Sequence, residues 1–151
     1  MPAGYEGQLY LEISPRTFPV LVRQGSRLSQ IRIRRGRATL TSDEISTLHE
    51  GEGLTSALDA NISGGGIALS VDLTGDADGM IGYRGKRHTG VVDVDKRDAH
   101  RILDFWEPLH RSEGGVLVLD PNEFYILVSE EAVHVPPAVS YTHLTLPTIL
   151  L

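Results

Sequence analysis

The punctuation of this chain limits its architecture more than any other feature. Short runs of alternating apolar residues recur along it, and most of them are closed by glycine or proline. Residues 8–13 alternate, with Leu9, Leu11 and Ile13 on one face and Gln8, Tyr10 and Glu12 on the other. That is the period of two that belongs to a β-strand. Pro15 and Pro19 follow, then a short apolar run over 18–22, a Gln24-Gly25-Ser26 turn, and a second alternation over 28–33 with Ile31 and Ile33 in phase. Short strands separated by turn residues predict an all-β sandwich or barrel rather than an alternating α/β fold.

Beyond this block the pattern changes. Thr41-Ser42-Asp43-Glu44 has the spacing of a capping box, with Ile45 and Leu48 after it, so a short helix is expected to start there and end near Gly51. Residues 51–66 are polar and glycine-rich, end in "SGGG", and read as a linker. A second β block opens with "IALSVDLTG" and continues through "MIGYRGKR" and "GVVDVD". "DAHRILDFW" places Ala99, Ile102, Leu103 and Trp106 on one helical stripe, stopped by Pro108. "GVLVLD", "EFYILVS" and "EAVHVP" then predict three more strands. The closing "YTHLTLPTILL" fits neither block and resembles a translated cloning or adapter tail, so it is set aside from fold reasoning.

Composition narrows the chemistry. The 151 residues suffice for one ordinary domain, and no apolar run is long enough to span a membrane. The opening "MPAGYEGQLY" does not read as a signal peptide. There is no cysteine, which removes disulfides, thiol nucleophiles and the cysteine-ligated zinc of one class of deaminases, and fits a cytoplasmic protein. The net charge of −6 is unevenly spread: Arg16, Arg23, Arg27, Arg32, Arg34, Arg35 and Arg37 lie in a stretch without any acid. A local basic patch on an acidic chain speaks against nucleic-acid binding and would suit a small polyanion such as a triphosphate. It would equally serve as a solvated strand face. His88, His100, His110 and His134 show no metal-ligand spacing.

Several phrases together resemble a known family. "PAGYEGQLYLEIS" followed by "FPVLVRQGSRLSQIRI" is similar to the second half of a dUTPase-like domain, and specifically to dCTP deaminase. Gly4, Tyr5, Gly7 and Glu12 match a Gly-aromatic-x-Gly turn leading into a glutamate strand, while Gly25 and Gln30 match the strand after it. "GIALSVDLTG" and "LVLDPNEFYILVSEEAVHVPP" resemble the first half of another such domain. The resemblance, over residues 1 to about 137, is to the two-domain bacterial dCTP deaminases. It implies a mainly β, dUTPase-like fold (a β-clip or distorted jelly roll) with one or two short helices. It divides the chain into the C-terminal half of a first domain over 1–36, a helix-containing linker over 37–66, the N-terminal half of a second domain over 67–137, and a non-native tail over 138–151. The chain is then expected to be an internal fragment, inactive alone, lacking the family's upstream phosphate loop.

The resemblance also implies the chemistry. The expected reaction is hydrolysis of dCTP to dUTP and ammonia in pyrimidine deoxynucleotide synthesis, with Glu12 as the catalytic acid–base and no zinc. A carboxylate can take a proton from the attacking water and return one to the leaving amine. Without the resemblance, Glu12 would be an ordinary outward-facing charge. Gln30 and Tyr10 are the candidate substrate-binding residues; a polar outer-face position and a half-buried strand tyrosine are their plain alternatives. Mg²⁺ is expected to arrive with the triphosphate. The intact protein is expected to be a trimer or pseudo-trimer, with no nucleic-acid or membrane partner. Two other readings remain open at this level: a dUTP diphosphatase-like hydrolase, and a non-catalytic β module for oligomerisation or binding.

Overall fold

A computed structural model describes residues 4–29, 39–137 and 139. In chain order the elements are β1 (Val20–Leu21), α1 (Ser42–Glu52), β2 (Ile62–Ser63), β3 (Gly66–Ile67), β4 (Met80–Gly85), β5 (Val92–Asp93), α2 (Ile102–Phe105), β6 (Trp106–His110) and β7 (Tyr125–Leu127). Short strands dominate and both helices are short, so the expected mainly β class holds. The chain divides into two compact units, Met1–Gln30 with Leu73–Ile126, and Ile31–Asp72 with Leu127–Leu151.

The first unit is built around a sheet of order β6-β4-β7. β4 and β6 run antiparallel, Met80 opposite His110 and Gly85 opposite Trp106, with an irregularity between Met80 and Gly82. Ile81 and Phe105 are buried here, and Trp106 lies tilted against Phe124 at 5.9 Å. Pro108 sits in β6, opposite Tyr83. It cannot donate to a ladder, and an outer strand of the sheet is where that defect is tolerated. β1 pairs in parallel with β5, Val20 opposite Val92 and Leu21 opposite Asp93. The early residues of the chain are thus part of the same unit as residues some seventy positions later.

The second unit is organised by α1. Its capping box is complete: the Thr41 hydroxyl accepts from the Glu44 N–H, and Glu44 Oε2 accepts from the Thr41 N–H at 2.8 Å. Ile45 is the helix residue that is buried. Leu54, also buried, follows the helix; its N–H donates to His49 Nδ1 at 3.1 Å and its carbonyl accepts from the His134 N–H at 2.9 Å. Thr55 bridges to Val133 and Val71 to Ser129. Burial works to raise the Glu131 carboxyl, yet the Ser70 N–H at 2.8 Å and further donors hold it below the ordinary carboxylate range.

Several expectations are corrected. Residues 8–13 form no strand; Leu9, Leu11 and Ile13 are exposed, because the described residues supply no neighbouring strand to complete their ladder. "SGGG" is not a flexible linker but a hairpin turn. Gly64 and Gly65 stand at φ 57° and 73° between β2 and β3, as a two-residue turn with two left-handed positions requires. The helical stripe over "DAHRILDFW" shrinks to the single turn of α2, which buries Phe105 and leaves Ile102 and Leu103 exposed. Trp106 leaves the helix for β6 because pairing with Gly85 competes for its backbone. "GVLVLD" forms no strand, and Val116 and Val118 are exposed.

Candidate active site

The segment bearing Glu12 begins with a turn that is self-contained. The Tyr5 hydroxyl donates to the Gln8 carbonyl, folding the ring back along the chain. A Cβ at Gly7 would lie 3.0 Å from that hydroxyl oxygen and 3.2 Å from ring carbon Cζ, so a side chain at position 7 would push the ring back by a few tenths of an ångström. This is a physical reason for the Gly-aromatic-x-Gly spacing: the aromatic packs on its own turn and sets the exit direction of the residues that follow.

Glu12 leaves that turn exposed to solvent, and Tyr10 is 91% exposed. Tyr10 therefore does not occupy the half-buried strand position that was its plain alternative. Gln30 lies outside the described residues, as do Arg32, Arg34, Arg35 and Arg37. Glu12 is thus an accessible carboxylate, and the accessible Tyr10 ring lies two residues before it in the chain. Acid–base work on a base ring calls for partial desolvation of such a carboxylate.

Downstream of Glu12 the chain is pinned. Phe18 meets Phe105 and Trp106 edge-on, at centroid distances of 5.3 and 5.1 Å. Arg23 carries a fork to Asp93, Nη1 to Oδ1 at 2.7 Å and Nη2 to Oδ2 at 2.9 Å, and its Nη1 also reaches Asp95 Oδ2 at 3.3 Å. Asp93 is buried, and its backbone N–H donates to His100 Nε2 at 3.1 Å. The Arg23 bonds hold the Asp93 carboxyl down at about 2, below its ordinary 3.8, and Asp93 in turn raises Arg23 above the usual arginine range. One member of the basic stretch is thus committed to carboxylates of its own chain rather than to a free polyanion. Sequence reasoning did not anticipate this pair. Its signal was the acid-free run around Arg23 set against Asp93 and Asp95, two acids on one face of a predicted strand.

A second feature missed from sequence is an open cleft of about 450 Å³ at the end of β4, lined by Arg84, Lys86 and Arg87 with Glu107, Asp120 and Glu123. Each cation there has a partner. Arg84 bonds Glu107 Oε2 through Nη2 at 2.6 Å and Nε at 3.1 Å, which raises its pKa further. Lys86 Nζ donates to the Leu103 carbonyl at 2.6 Å, and Arg87 pairs with Glu123. The two arginines of the cleft are thus matched by carboxylates, while Lys86 is held by a neutral carbonyl. Among the described residues no group of three or more histidines or acids is placed to hold a metal ion, and no helix is long and apolar enough to cross a membrane.

Comparison with known proteins adds an independent line. Residues 1–37 match the 2'-deoxycytidine 5'-triphosphate deaminase (DCD) N-terminal domain, and residues 41–145 match the C-terminal domain of the same family. The crystal structure of 2'-deoxycytidine 5'-triphosphate deaminase from Agrobacterium tumefaciens is similar over 91% of this chain, at 62% identity and a TM-score of 0.79. The chain spans 40% of the length of that protein. No curated protein matches the chain.

Proposed function

Because this chain belongs to the 2'-deoxycytidine 5'-triphosphate deaminase family, we propose that it is a portion of an enzyme that hydrolyses dCTP to dUTP and ammonia, with Glu12 as the acid–base. The observation that carries this reading is the unbroken family match from residue 1 to residue 145 but for three positions, with Glu12 just after the Tyr5–Gly7 turn. The reaction balances on one carboxylate. Glu12 takes a proton from water as its oxygen bonds to C4 of the cytosine ring; it then gives a proton to the exocyclic nitrogen as the C4–N bond breaks and ammonia leaves. A protein carboxylate doing both transfers needs no zinc-bound hydroxide, and the chain has no cysteine to build the cysteine-ligated kind.

In this reading the nucleotide arrives as its magnesium complex, and Tyr10 and Gln30 contact it. The enzyme is cytoplasmic, acts in deoxyuridine nucleotide supply, and assembles as a trimer or pseudo-trimer. The test is a product analysis on a full-length chimera, in which residues 4–137 replace the matching stretch of the Agrobacterium tumefaciens protein. Deamination predicts dUTP and ammonia from dCTP. Release of pyrophosphate instead would place the chain with dUTP diphosphatase-like hydrolases, and neither product would favour a non-catalytic module.

A further inference from the structure

The contact between residues 17–26 and the C-terminal family portion is more specific than packing alone requires. The Arg23 fork to Asp93 is bidentate, the geometry that fixes direction as well as distance. Ser26 Oγ donates to Asp95 Oδ2 at 2.8 Å, and the Val92 N–H donates to the Pro19 carbonyl at 2.8 Å. A further close contact is at Gly85. A Cβ built there would lie 2.6 Å from Thr17 Cγ2, well inside van der Waals contact, so Thr17 sits where it does only because residue 85 has no side chain. Thr17 is β-branched and stiff about χ1, so it cannot swing away at little cost. Gly85 carries no left-handed φ, so its role here is space rather than backbone freedom.

This contact joins residues matched to the N-terminal domain of the family with residues matched to its C-terminal domain. Thr17 is five positions from Glu12, with Pro15 between them to stiffen the path. We infer that Gly85, Arg23 and Asp93 are positioning residues for Glu12: the C-terminal portion anchors the glutamate-bearing segment and sets where its carboxylate stands, without supplying a reacting group itself. The inference rests on the deaminase reading above.

The experiment uses the Gly85–Thr17 contact, because it can be broken and remade. In the full-length chimera, Gly85→Ala is expected to lower kcat by roughly ten- to a hundredfold while KM for dCTP moves by less than about threefold, the pattern of a misplaced catalytic group. Adding Thr17→Ser removes Cγ2; the next neighbours of the new methyl, the Phe124 carbonyl oxygen at 3.6 Å and Cβ at 3.7 Å, are at ordinary contact distance. The double variant should recover most of the lost kcat. In parallel, hydrogen exchange on the 151-residue chain should show faster exchange over residues 17–22 in Gly85→Ala and restored protection in the double variant. Unchanged kcat in an active chimera, a loss confined to KM, or a loss that Thr17→Ser does not restore would each overturn the positioning role. A wild-type chimera without turnover would instead overturn the deaminase reading and the positioning role with it, and the exchange measurement would then report on the anchor alone.

Discussion

At the scale of single residues, two carboxylates with opposite environments define the account. Glu12 is exposed, whereas Asp93 is buried and bound by Arg23. The Asp93 carboxyl titrates at about 2 when folded against an ordinary 3.8. Its contribution to stability is therefore present in full above the ordinary value and is lost as the pH falls from there toward about 2. Urea midpoints of the wild-type chain and of Asp93→Asn should be well separated at neutral pH and converge over that acid window. A separation that stayed constant through the window would show that the Arg23 pair does not link folding to pH. Glu12 could be singled out from sequence only through the family resemblance that the local Gly4-Tyr5-Glu6-Gly7 motif before it carries. Asp93 could not, because its partner lies seventy residues away and only the fold brings the two together.

At the scale of elements, the parts that were legible are those whose determinants are local. The Thr41–Glu44 box specifies the start of α1, and both of its reciprocal bonds are present. Thr41→Ala should lower thermal stability by about 1 kcal/mol, with Thr41→Ser retaining most of it; equal melting of all three proteins would mean the cap is idle. The strands at β4, β5 and β7 were likewise anticipated by "MIGYRGKR", "GVVDVD" and "EFYILVS". What failed were segments whose fate depends on a partner. Residues 8–13 have a strand's alternation, but alternation only prepares a face, and ladder bonds must come from another strand. The stripe at Ala99, Ile102, Leu103 and Trp106 has a helix's period, yet Trp106 is drawn into β6 by Gly85 and Phe18. The glycines of "SGGG" signal a break in regular structure, and their spacing does not reveal that the break is a tight turn rather than a free linker.

At the scale of the whole molecule, family membership and the mainly β class followed from phrases spread along the chain. How the portions associate did not, because it rests on the Gly85–Thr17 approach and the Arg23–Asp93 fork. The 151-residue chain by itself is predicted to show no dCTP turnover, since Glu12 is exposed and lacks the desolvated surroundings that acid–base work on a base ring calls for; dUTP formation by that chain would contradict this. Whether Glu12 moves the protons of deamination is decided by the initial rate of dCTP deamination in the full-length chimera with Glu12→Gln. Glutamine keeps the shape and removes the base, so the rate should fall by at least about a hundredfold with the fold unchanged. A Glu12→Gln rate within a few-fold of wild type would contradict it.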